Sequence, residues 1–167
     1  MLRNYRKPLI VASPKGLLRS PAAASSLSEM APGSTFQPII DIETNPSHPE
    51  RLVLCSGKHY YTLAEALAKQ PADVALVRIE ELCPFPREEL EQVLDKYSTA
   101  DIIWAQEEPE NQGAWPFVRP RIEESLRSMG RGDAVSYRGR ESCATVATGV
   151  SSWHKREAEE IVREALR

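Results

Sequence analysis

RLVLCSGKHYYTLAEALAKQPADVALVRIEELCPFP, residues 51–86, decides the fold class of this chain. RLVLCS (51–56) is an unbroken apolar run stopped by Gly57, and it reads as a strand. Tyr60, Leu63, Ala64 and Leu67 then recur at i, i+3, i+4 and i+7, which is one face of a helix. DVALVRI (73–79) is a second apolar strand, ended by CPFP. Strands this continuously apolar are covered on both faces, and joining them through a helix makes them parallel.

Downstream the alternation continues. Pro86 suits a first helical position, with Glu88 and Glu89 in the first turn, Lys96 in the last, and Leu90, Val93, Leu94 and Tyr97 facing inward. DIIWAQ (101–106) is a third strand. The helix after it turns Trp115, Val118, Ile122, Leu126 and Met129 inward. It must begin near Pro116 for Pro120 to fall in the first turn, where its missing N–H costs nothing. AVSYRGR (134–140) reads as a short fourth strand. Ala158, Ile161, Val162 and Ala165 mark a C-terminal amphipathic helix. The result is an α/β fold with a mostly parallel sheet covered by helices on both faces.

Upstream the pattern breaks. LIVAS (9–13) reads as an apolar strand, but a loop-rich stretch with SP, AAASS, PG and NPSHP separates it from residue 51. That gap exceeds the usual connection in a compact unit. The expectation is therefore the last strand of another domain, joined by a long connector.

The bulk numbers fit this organisation. A chain of 167 residues makes one ordinary domain with an extra segment. The apolar share of 41% and the charged share of 27% are those of a globular protein, and a net charge of −3 disfavours a general nucleic-acid partner. No apolar run approaches the roughly 20 residues of a membrane span. The basic start has only LIVA as an apolar core and lacks a small-residue cleavage site, so it is a poor secretory signal. Cys55, Cys83 and Cys143 are odd in number and widely spaced, which favours a reducing compartment.

Candidate chemistry is sparse. Glu107 and Glu108 lie just past a strand's carboxyl end, where ligands sit in open parallel sheets. Adjacent strand residues point to opposite faces, so the pair cannot share a proton, and a structural or interface role is the better reading. CSGKH (55–59) joins a strand to a helix, where N–H groups and Lys58 can hold an anion, although its single glycine excludes a P-loop. Lys15, Arg19, Arg138 and Arg140 occupy loop positions where arginine forks bind phosphate, or are simply solvated. His48, His59 and His154 are scattered and offer no metal motif, Cys55 and Cys83 suit buried positions, and no serine sits in a GxSxG elbow.

In order along the chain, RNYRKPLIVASPKGLLRSPAA, CSGKHYY, VRIEELCPFP, QEEPENQGAWPFVRPR, YRGR and ATGVSSWH resemble the C-terminal region of the 2-oxoglutarate dehydrogenase family, the thiamine-dependent decarboxylating components. EMAPG, ELCPFP and RKPLIVASPK lean toward the relative acting on 2-oxoadipate. The resemblance implies a three-layer α/β/α sandwich around a mixed, mostly parallel five-stranded sheet, like the transketolase C-terminal domain. It implies that residues 1–50 are the end of a preceding pyrimidine-binding domain plus connector, that residues 51–167 are the C-terminal domain, and that Met1 is internal to a longer chain.

The same resemblance implies thiamine diphosphate and Mg in the full-length parent but none on this chain, since the family's GDG…N motif is absent and the nearest string is RGD at 131–133. Implied partners are the rest of the dehydrogenase chain, its dimer mate and a lipoyl acyltransferase component, with no nucleic acid and no membrane. The implied location is the mitochondrial matrix, or the cytoplasm for a bacterial parent. Some family members bind acyl-CoA or a nucleotide allosterically, and Arg19, Lys58, Gln112, Arg138 and Arg140 are the matching positions here. Glu107, Glu108 and Trp115 are the matching interface positions. Two other readings stand beside the dehydrogenase part: a free-standing acyl-CoA or nucleotide sensor, and a small enzyme using Glu107 or Glu108 as base.

Overall fold

The computed structural model describes residues 4–42, 44–132 and 134–167. Contacts divide the chain into two compact units, Met1–Ser34 and Thr35–Arg167. The first unit holds three short 3-10 turns, Lys15–Leu17, Pro21–Ala23 and Leu27–Met30, none of which contains a buried residue. The strand expected at LIVAS does not form. Residues 9–13 belong to no ladder among the described residues, and Ile10 is 92% exposed. An apolar run becomes a strand only where a neighbour takes its N–H and C=O groups, and none of the described residues does so here.

The second unit is an α/β/α sandwich. Its elements are β1 (Ile39–Asp41), β2 (Arg51–Cys55), α1 (His59–Lys69), β3 (Val74–Ile79), α2 (Arg87–Lys96), β4 (Asp101–Pro109), α3 (Trp115–Ser128), β5 (Ser136–Arg140) and α4 (Ser151–Leu166). The sheet order is β1-β3-β2-β4-β5, with β1 antiparallel to β3 and every other pair parallel.

Strand alternation sorts the core into two layers. Leu52, Leu54, Val77, Ile79, Ile102 and Trp104 pack with α2 and α3. Val53, Cys55, Leu76, Ile103 and Ala105 face the other way, toward Leu63 of α1 and Ala165 of α4. Burying a side chain of this size is worth about 1.5–3 kcal/mol, so these two faces carry the fold.

The fifth strand is β1, inside the segment read as connector, and the second compact unit begins at Thr35. Only three residues long, β1 is fastened by side chains: the Asp41 carboxylate accepts from Lys96 Nζ, Tyr97 Oη and Asn45 Nδ2. Asn45 also bonds both backbone groups of Leu76. Pro120 falls in the second turn of α3, not the first, because the helix already starts at Trp115; the N–H that would meet the Pro116 carbonyl is absent. Pro86 stands just outside α2 as its N-cap.

Candidate functional site

The chain leaves β2 for α1 on one face of the sheet and leaves β4 for α3 on the other. Since β2 and β4 are neighbours, the loops past their carboxyl ends diverge and open a crevice, the usual ligand position in such sheets. Here it is a cleft of about 560 Å³, with Ser56–His59 on one wall and Gln106–Glu108 on the other. A second cavity of about 270 Å³ adjoins it toward α4 and shares Lys58, His59, Glu107 and Glu108.

Lys58 stands at the N-cap position of α1 without a side-chain capping bond, and the left-handed turn before it uses Gly57 at φ 60°. Its Nζ lies 2.9 Å from Glu107 Oε1 across the crevice, with the two side chains 48% and 39% exposed. An ion pair this wet contributes under about 1 kcal/mol. His59 follows in the first turn. Burial is the main cause holding its pKa below 6.5, with the Glu107 carboxylate acting in the opposite direction and Lys58 adding to the depression.

The other wall is organised by Gln106. Its Oε1 accepts from Trp104 Nε1 at 3.0 Å and from the Trp115 backbone N–H at 2.9 Å. Its Nε2 donates to the carbonyls of Gln112, Pro109 and Glu108 at 2.8, 3.2 and 3.3 Å. Ala114, the N-cap residue of α3, has no side chain able to cap, so Gln106 supplies that function from the sheet. Gly113 completes the turn at φ 66°, where a Cβ would stand 2.9 Å from Glu108 Cβ.

The expected site residues divide. Lys58, Glu107, Glu108 and Arg140 converge on the cavities. Arg140 is largely buried; its guanidinium donates to the carbonyls of Glu107 and Val146 and to Thr148 Oγ1, and so ties the loop after β5 to the sheet. Gln112 Nε2 donates to the Cys143 carbonyl at 3.0 Å, beside Asn111, which bonds both backbone groups of Cys143. Arg138 lies at the opposite end of the sheet, near Arg51 and Arg163. Arg19 is exposed in the first unit. Trp115, expected at an interface, is buried in its own core with its ring 5.3 Å from that of Tyr137.

Three residues were missed. Gln106 carried a signal, as a polar side chain closing the apolar run IIWAQ. Tyr137 and Gly139 carried little. The Tyr137 hydroxyl donates to the Glu108 and Arg140 carbonyls, burial pushes its pKa up to about 12, and a Cβ on Gly139 would meet that hydroxyl.

Comparison with known proteins agrees with this architecture. The family model described as 2-oxoglutarate dehydrogenase C-terminal matches residues 24–166. The 2-oxoadipate dehydrogenase complex component E1 of Xenopus laevis is 49% identical over 99% of this chain, and that of Homo sapiens is 48% identical over 97%. The mitochondrial 2-oxoglutarate dehydrogenase of Caenorhabditis briggsae is 46% identical over 95%. The chain spans 18% of the length of the first two relatives and 16% of the third. Among solved structures, a split-gene transketolase described as an inactive beta4 tetramer shares the fold, with TM-score 0.50 and 16% identity over 81% of this chain and 44% of its own. The chain belongs to the 2-oxoglutarate dehydrogenase C-terminal family.

Proposed function

We propose that this chain is the C-terminal, assembly-forming part of a thiamine-dependent 2-oxo acid dehydrogenase, of the 2-oxoadipate or 2-oxoglutarate type. The carrying observation is a family match over residues 24–166 in a chain only 18% as long as its relatives. In the whole protein the 2-oxo acid is decarboxylated on thiamine diphosphate and the acyl group passes to a lipoyl acyltransferase component, in the mitochondrial matrix. The dimer mate and the remainder of the dehydrogenase chain are the partners this reading supplies.

Among the described residues no three or more histidine, cysteine, aspartate or glutamate side chains gather at one metal position. Nor does an independent enzyme with Glu107 as base fit, since that carboxylate is partly exposed and held by Lys58. Among the described residues no helix is long and apolar enough to cross a membrane.

The test is complementation. The human 2-oxoadipate relative, truncated before its matching region, is assayed for 2-oxoadipate-dependent ferricyanide reduction with and without this chain. Restored turnover supports the proposal. Turnover by this chain alone, or no restoration by a chain shown to be folded, overturns it.

A second reading, recognition of acyl-CoA or a nucleotide through an anionic group, is favoured by the crevice. Lys58 and the N–H groups opening α1 face the switch point, where a helix N-terminus carries partial positive charge. Coenzyme A titrated into the chain would bind, and Lys58→Ala would weaken that binding about tenfold; equal affinity in the two proteins overturns the reading.

A further inference from the structure

His59 is 5% exposed, and neither Nδ1 nor Nε2 has a hydrogen-bond partner or contact with solvent. Leaving buried polar atoms without partners works against the folded state. The residue borders both cavities and stands in the first turn of an eleven-residue helix, beside Lys58. A helix N-terminus alone is an ordinary feature of every α/β fold. A buried imidazole with two idle nitrogens at the same place is not.

We infer that His59 is the proton-linked recognition residue of the crevice: an oxyanion of phosphate or sulfate size, free or ending a larger molecule, draws Lys58 from Glu107 and binds to a doubly protonated His59 ring. This rests on the second reading above and adds the group that reads the ligand. The Lys58–Glu107 pair is the exposed, weakly held part of the wall, so it yields first. Protonated, the ring has two donors and no acceptor, matching an oxyanion that only accepts. Neutral, it has one donor and an acceptor nitrogen turned against the anion's lone pairs.

Charge around the ring decides the sign. Lys58 lies on its own helix, Glu107 and Glu108 on β4, Arg140 at the end of β5, His154 and Glu157 on α4, Cys83 in the loop after β3 and Cys55 at the end of β2. Without ligand, burial favours the neutral ring, holding its pKa below 6.5. An arriving anion supplies the negative charge that stabilises the imidazolium, so binding takes up a proton and tightens as pH falls. One linked proton gives at most about tenfold per pH unit.

The test uses the 167-residue chain and sulfate, whose charge is constant across the imidazole range, with chloride at matched ionic strength as control. Ring resonances of His48, His59 and His154 are followed by NMR through a pH titration. The expected result is that His59 titrates below the ordinary imidazole value without sulfate and moves up by about one unit or more with it, equivalent to about tenfold tighter binding of the protonated form. Lys58→Ala removes the movement. His59→Gln, if it folds, binds sulfate with no pH dependence, while His154→Gln keeps it. If sulfate binds through Lys58 and the His59 titration stays put, the inference is overturned and the anion reading stands. If sulfate does not bind saturably at all, both fall.

Discussion

Replacing Gln106 with leucine tests the account of the β4–α3 turn. The substitution keeps the volume and the apolar surroundings but removes the acceptor shared by Trp104 Nε1 and the Trp115 N–H. Two donors buried without partners cost about 1–3 kcal/mol each. The Gln112 carbonyl, which holds the shortest of the Nε2 bonds at 2.8 Å, also loses its donor. The expected loss is about 3–5 kcal/mol, a large part of the roughly 5–15 kcal/mol that stabilises a domain. In a chain of this size that lowers Tm by roughly 10 °C. Urea unfolding followed by tryptophan fluorescence measures it directly, because Trp104 and Trp115 are the two reporters touched. Gln106→Glu, which keeps the acceptor but sets a buried carboxylate oxygen against the Glu108, Pro109 and Gln112 carbonyls, is expected to lose at least as much. A loss below about 1 kcal/mol for Gln106→Leu, with an unchanged urea slope, would refute the capping argument.

Gly113→Ala, at φ 66° and with its Cβ against Glu108 Cβ, is expected to lower stability by about 1–3 kcal/mol in the same urea assay. Lys58→Ala is expected to change stability by less than about 1 kcal/mol, because the pair it breaks is wet; a larger change would show the bridge to be structural. His59 has a folded-state pKa below 6.5, so the unfolded chain binds its proton first. Its contribution is therefore intact above about pH 6.5 and is lost as pH falls from there toward the folded pKa. His59→Leu should flatten that decline in a pH series of thermal melts. Cys143 is exposed, its pKa lowered by hydrogen bonds from Thr145, whereas burial pushes Cys55 up to about 12. Iodoacetamide at neutral pH should label Cys143 readily and leave Cys55 untouched until the protein unfolds, as read by mass spectrometry.

Periodicity made the second unit legible from β2 onward, because each of its elements buries a face and burial writes a repeat into the sequence. β1 was not legible. Three residues hold no repeat, and its place is set by Asp41 and Asn45 bonding to residues more than thirty positions away. LIVAS failed in the opposite sense: its composition is that of a strand, but a strand also needs a partner. At the site, Lys58 and the two glutamates were legible because strand ends in parallel sheets are where loops converge. Gln106 was signalled only as the polar residue closing IIWAQ, its partners all lying within nine positions on the β4–α3 segment. His59 was not legible, since the walls around it come together only through the register of β2 with β4.

The exposed run Leu9–Val11 bears on how the chain behaves in concentrated solution. Its backbone offers donors and acceptors that no ladder among the described residues uses, beside side chains that water solvates poorly. Pro8 and Pro14 bracket it and leave five residues between them, short of the six or seven that stacked fibrils use. Proline also lacks the N–H through which such stacking would spread. The segment is thus adhesive but length-limited, suited to zipping onto one open sheet edge and poorly suited to propagating a fibre.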